Sequence, residues 1–168
     1  MAAAASKRLL FSRFRGGRPQ NRPPWSIPEP SFSDACGLCG LCMRACPQKL
    51  LVAGVAGYPI AGFEFGPCTF CGACVEACKS GCFTADRGAR PWRIAASAGP
   101  ACIEAKGVTC RLCQDVCQPK AIRFRPKLGG GSAILIDPAA CTGCGACVAP
   151  CPAGAITVAG SLPAEARG

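Results

Sequence analysis

The chain has 168 residues, among them 17 cysteines, 21 glycines and 16 prolines, no histidine, 7% aromatic and 17% charged residues, and a formal charge of +10. So little large apolar surface cannot offset the ordering entropy of folding through a conventional core alone. The lack of histidine excludes Rieske centres, histidine-ligated haem and mixed cysteine–histidine zinc sites, and it removes the commonest general base.

Residues 1–31 read as a basic, proline-rich N-terminal arm. Alanines 2–5 are low-complexity, Gly16-Gly17 follows scattered arginines, and the prolines of Arg22-Pro23-Pro24-Trp25-Ser26 deny a helix, leaving Trp25 free to dock on the body. Ser6-Lys7-Arg8-Leu9-Leu10 resembles a twin-arginine export signal in outline, but Arg13 and Arg15 interrupt the apolar stretch such a signal needs. No secretory signal and no run of about 18 apolar residues is present, so neither export nor a membrane span is expected.

From Ser33 onward the chain is modular. Three cysteine groups share the spacing Cys-x2-Cys-x2-Cys-x3-Cys: Cys36, Cys39, Cys42 and Cys46; Cys68, Cys71, Cys74 and Cys78; and Cys141, Cys144, Cys147 and Cys151. A fourth group, Cys102, Cys110, Cys113 and Cys117, is stretched by seven residues between its first two members. After Cys46, Cys117 and Cys151 comes a turn and a short β-type segment: Leu50-Leu51-Val52, Ala121 to Phe124, and Ala155 to Val158. Ile134-Leu135-Ile136 reads as one further strand. The unit expected is strand, cysteine loop, short helix, cysteine, strand. Residues 32–90 then form one module, 91–100 a linker, 101–160 a second module and 161–168 a flexible tail.

Three cysteines within seven residues, interleaved with Gly37, Gly40, Gly72, Ala73, Gly143, Gly145 and Ala146, suit a loop that curls around one small inorganic body. The run is that of bacterial ferredoxins binding [4Fe–4S] clusters. A secreted disulfide scaffold fits poorly, since the cysteine count is odd and the tight spacings repeat. Zinc in four thiolates is the rival metal, although zinc motifs bring cysteines in well-separated pairs. For the stretched group zinc, a [3Fe–4S] cluster or no metal stay open beside a fourth cubane. In two-cluster ferredoxins the last cysteine of a run ligates the neighbouring cluster. The expected sets are therefore Cys36, Cys39, Cys42 with Cys78; Cys68, Cys71, Cys74 with Cys46; Cys141, Cys144, Cys147 with Cys117; and Cys102, Cys110, Cys113 with Cys151. Cys82 lies four residues after Cys78, where the other units have Ala121 and Ala155, and reads as a small buried apolar residue. Lys79 replaces the proline that follows Cys46 and Cys151.

Each loaded site carries about −2, so four would reduce the total charge to about +2. Six of the cations, Lys7, Arg8, Arg13, Arg15, Arg18 and Arg22, lie in the first 25 residues with no acid among them. The body is then mildly acidic, and a nucleic-acid partner is not expected.

With Arg22-Pro23-Pro24-Trp25-Ser26, Gly57-Tyr58-Pro59, Cys110-Arg111-Leu112-Cys113-Gln114-Asp115 and Ile122-Arg123-Phe124-Arg125-Pro126, the chain resembles the ferredoxin-type NapF family from about residue 6 to residue 160. The resemblance implies a small α+β fold of two tandem bacterial-ferredoxin-like modules with pseudo-twofold repeats. It implies three to four [4Fe–4S] clusters, a cytoplasmic location, and as partner the precursor catalytic subunit of periplasmic nitrate reductase, whose maturation the family assists. Two other functions compete with an assembly accessory: a ferredoxin-type electron carrier, and an enzyme with its own substrate. The last is the weakest, because no histidine, nucleotide loop or other catalytic arrangement is present.

Overall fold

The computed structural model describes residues 20–84, 86–88 and 90–160. Most of the arm and the C-terminal tail lie outside the described residues. Within them, helices and strands are mixed and short: α1 (Ser31–Ala35), α2 (Leu41–Ala45), β1 (Leu51–Ala53), β2 (Pro59–Ala61), α3 (Ala73–Glu76), β3 (Ala95–Ala98), α4 (Leu112–Asp115), β4 (Ile122–Pro126), β5 (Ser132–Ile136) and β6 (Ile156–Ala159). Helices of four or five residues are far below the length that is stable alone. They exist here because tertiary contacts hold the cysteine loops that precede them.

Three antiparallel pairs organise the strands. β1 pairs with β2, β4 with β5, and β3 with β6, the last in the register Ala95↔Ala159 to Ala98↔Ile156. The β4–β5 hairpin turns through Gly129-Gly130-Gly131, all at positive φ, which only glycine adopts without strain. The first half has the same plan. Ser26 bridges Phe83, the Ile27 amide donates to the Cys82 carbonyl at 3.0 Å, and the Thr84 amide donates to the Trp25 carbonyl at 2.8 Å.

Two segments differ from their reading in the sequence. The stretch 91–100, expected as a linker, carries the buried side chains of Trp92 and Ile94 and the whole of β3. Four small residues, Ala95-Ala96-Ser97-Ala98, give little strand signal on their own, but they let β3 lie close to the last cysteine loop. The end of the expected arm also packs on the body. Pro23 and Trp25 are buried, the Trp25 amide donates to the Pro91 carbonyl at 2.8 Å, and Asn21 Nδ2 donates to the Val158 carbonyl at 2.7 Å.

One apolar core runs through both halves, with Leu50, Ala61 and Phe63 from the first and Ile94, Ile122, Ile156 and Val158 from the second. Aromatic rings form its seam. Trp92 meets Phe63 edge-on at 5.6 Å and Phe70 at 5.8 Å, Trp25 meets Phe70 at 6.3 Å, and Trp92 Nε1 donates to the Arg22 carbonyl at 2.9 Å. Such pairs add about 0.5–1.5 kcal/mol each beyond their buried area. Among the described residues, no helix is long and apolar enough to cross a membrane.

Candidate metal centres

The regular loops share a backbone device. The residue before the second cysteine is left-handed in all three (Leu38, Phe70 and Gly143), and so is the glycine after it (Gly40, Gly72 and Gly145). Alternating left-handed residues curl the loop so that successive side chains converge. Gly40 and Gly72 then open α2 and α3, which carry the third cysteines, Cys42 and Cys74. The last loop has turns instead of a helix at this point. Pro150 accounts for this, since the residue before a proline is pushed out of the helical region. In the stretched group Arg111 stands where the others have glycine, with φ −124. The curl comes instead from the longer segment after Cys102, whose 3₁₀ turn Glu104–Lys106 ends on left-handed Gly107.

That segment is pinned by a carboxylate. Glu104 is buried, accepts from the Cys110 amide at 2.6 Å and pairs with Arg111 at 3.5 Å. The Cys110 amide first, then the Ser132 hydroxyl, hold its carboxyl below the usual range. No feature of the spacing marked Glu104 in advance.

After every fourth cysteine the chain repeats one turn. Lys49, Gly81, Lys120 and Gly154, each three residues on, are left-handed, and the next residue, Leu50, Cys82, Ala121 or Ala155, is buried.

The thiols gather across groups. One cavity is lined by Cys36, Cys39, Cys42 and Cys78, a second by Cys46, Cys68, Cys71 and Cys74, and a third by Cys102, Cys110, Cys113 and Cys151. Cys82 also lines the first. In the remaining set, Cys141 and Cys144 lie close enough to Cys147 to help raise its pKa, after burial. The flanks of Cys117, Val116 and Gln118, share a cavity wall with Thr142 and Cys144. Cys39 and Cys71 are exposed, whereas Cys74, Cys113, Cys141 and Cys147 are buried.

Two 4Fe–4S dicluster domain models match the chain, over residues 32–79 and 106–155. The ferredoxin-type protein NapF of Escherichia coli (strain K12) is 42% identical over 158 residues, 94% of this chain and 96% of its own length. That of Haemophilus influenzae is 44% identical over 137 residues, 82% of this chain and 77% of its own. The chain belongs to the ferredoxin-type NapF family. A methylamine utilization ferredoxin-type protein, MauM of Methylorubrum extorquens, is also similar, at 32% identity over 77% of this chain and 67% of its own length.

As a ferredoxin-type NapF protein with two dicluster domains, the chain binds several [4Fe–4S] clusters. The residues present fit such a group. Among the described residues no three cysteines or carboxylates gather tightly enough for one metal ion. They ring cavities instead, which suits a body several ångströms across. Amides already point at cysteine sulfurs: Phe70 to Cys68 at 3.4 Å, Ala96 to Cys141 at 3.4 Å, and Ala155 to Cys151 at 3.3 Å. Trp25 lines the second cavity, and its buried Nε1–H has no acceptor among the described residues. Burial pushes the thiols up, Cys68 and Cys113 to about 11 and Cys74, Cys147 and Cys82 to about 12. As free thiols these stay protonated at neutral pH, and loading must displace the protons.

Proposed function

We propose that the chain is a cytoplasmic iron–sulfur accessory protein that binds the precursor catalytic subunit of periplasmic nitrate reductase. It assists maturation of that subunit, by cluster insertion or reduction, before export. Its role is assembly or electron supply rather than catalysis of its own. The observation that carries this reading is the match to NapF relatives along nearly the whole chain, at 42% identity over 94% of its residues. The match takes in the segments between the cysteine loops, which iron binding alone does not require.

In this reading the ligand sets are the crossed ones. Cys36, Cys39, Cys42 and Cys78 hold one cluster, and Cys68, Cys71, Cys74 and Cys46 the next. Cys141, Cys144, Cys147 and Cys117 hold a third, and Cys102, Cys110, Cys113 and Cys151 a fourth. The thiol-lined cavities support the first, second and fourth of these sets, and the outer strand pair with a hairpin that recurs in both halves is in keeping with pseudo-twofold units. The arm is 1–31, with its end from Asn21 to Ile27 packed on the body, and the modules are 32–90 and 101–160, joined through 91–100. When bound, the clusters supply one-electron redox chemistry. The protein's part is to hold them in a largely apolar surround, donate amides to the sulfurs and leave an edge exposed near Cys39 and Cys71.

The exposed Cys39 and Cys71 equally favour a plain electron carrier. Pull-down with the precursor catalytic subunit separates the two. An accessory binds it stably, and deletion of residues 1–19 abolishes binding while the cluster absorbance is retained. Binding that survives the deletion removes the arm from the docking surface. No stable binding by the full chain leaves the carrier.

A further inference from the structure

The first cavity is lined by five thiols where the second and third have four. The fifth is Cys82, which is 3% exposed. Its equivalents in the other units are Leu50, Ala121 and Ala155, at 1%, 2% and 4%. The comparison with Leu50 is the informative one, because Leu50 lines the second cavity as Cys82 lines the first. In these two units the side chain four residues after the last cysteine lines the same cavity as that cysteine. In the second cavity this side chain is hydrocarbon, and in the first it is a thiol. The Cys82 sulfur donates to the Ser80 carbonyl at 4.0 Å, too long to hold it firmly. Its closest ionisable neighbours are Cys78 and Cys36.

The turn leading to Cys82 also differs. Pro47 and Pro152 follow Cys46 and Cys151, but Lys79 follows Cys78. Lys79, Ser80 and Gly81 are all exposed. A turn with no proline and a left-handed glycine, free on its outer side, has more room to shift than its counterparts.

We propose that Cys82 is a reserve ligand of the first site, able to take the iron corner held by Cys78. The inference rests on the assignment of Cys36, Cys39, Cys42 and Cys78 as a ligand set. In the exchange one Fe–S bond to Cys78 breaks and one to Cys82 forms. The proton released by the Cys82 thiol ends on the departing Cys78 sulfur, and no electron is gained or lost. The site so equipped keeps that corner ligated, and its iron in place, while Cys78 is displaced.

The test compares iron and acid-labile sulfide per chain, with electron paramagnetic resonance of the reduced protein, in anaerobically prepared full-length variants. Cys46→Ala, which has only Leu50 beside it, should lose one iron atom if a [3Fe–4S] remnant persists, or about four if its site empties. Cys78→Ala should keep the full complement and a four-iron signal. Cys78→Ala with Cys82→Ala should lose iron as Cys46→Ala does, and Cys82→Ala alone should lose none. Equal losses in Cys78→Ala and Cys46→Ala overturn the proposal, as does full retention in the double variant. Should Cys78→Ala fold poorly, Cys78→Ser with and without Cys82→Ala gives the same reading at nearly unchanged volume. An unchanged iron content in Cys46→Ala would instead refute the ligand sets themselves.

Discussion

The amide of Cys68 donates to the carbonyl of Cys144 at 2.8 Å, tying the second cysteine loop to the last across the seam between the two halves. Beside it, Gly145 lies against the Phe63 ring so closely that an added Cβ would overlap the ring. Cysteine loops from different modules are thus packed on each other, not merely strung along one chain.

Gly145→Ala tests this seam. The residue has φ +78, and a side chain there must also displace an aromatic ring buried in the core. Backbone strain of about 1–3 kcal/mol and overpacking of about 1–3 kcal/mol together predict a loss of about 2–6 kcal/mol. Gly40→Ala, also left-handed at φ +69 but facing only the ends of Arg44 and Met43, should show the backbone part alone. Denaturant midpoints of the two loaded variants, compared with the parent, give the difference.

Trp25→Ala should destabilise the protein by about 3–5 kcal/mol, the range for emptying a buried tryptophan site. Trp25 is buried, stacks edge-on with Phe70 and lines the second cavity. The expected signature is faster bleaching of cluster absorbance in air together with the lower denaturant midpoint. Bleaching at the parent rate would show that Trp25 does not shield the site.

Glu104→Ala should affect the stretched site selectively. It removes the acceptor of the partly buried Cys110 amide and leaves Arg111, which also stacks on Phe124 at 4.7 Å, without its carboxylate. Four loaded sites give about 16 iron atoms per chain, and the variant should fall toward about 12. Glu104→Gln, which retains one acceptor oxygen, should lie between the two.

Glu29 offers a pH test at a surface site. Its carboxylate accepts from the Ser33 hydroxyl at 2.6 Å and from Arg22 at 2.6 Å, and these bonds, Ser33 first, hold its carboxyl below the usual value. A depressed carboxyl stabilises the fold above its ordinary pKa, and the contribution disappears as pH falls through its folded value. The pair is partly exposed, so Glu29→Gln should cost less than about 1 kcal/mol at neutral pH. In acid the difference from the parent should vanish, as measured by unfolding midpoints across pH.

The cysteine spacing made the three curled loops legible, because a motif spanning 11 residues is governed by local backbone geometry. Apolar runs after the last cysteines likewise foretold β1, β4 and β6, and Ile134-Leu135-Ile136 foretold β5. β3 escaped, since four small residues show no period and its partner β6 lies some 60 positions later. Glu104 escaped too. A lone acid in a loop acquires meaning only when the Cys110 amide arrives against it.

By itself, then, the sequence determined the iron–sulfur chemistry, since thiolate type and spacing are sufficient for it. It also determined the burial of Cys82, through its place in the repeat. Tertiary structure alone decided that Trp25 meets Pro91 and Asn21 meets Val158, that β3 pairs with β6, and that Cys68 meets Cys144. It also set the Cys82 thiol on the wall of the first cavity. These depend on contacts between residues far apart in the chain, where short strands and small side chains leave almost no periodic trace, and where the rings of Trp25, Phe63, Phe70 and Trp92 choose their partners by shape.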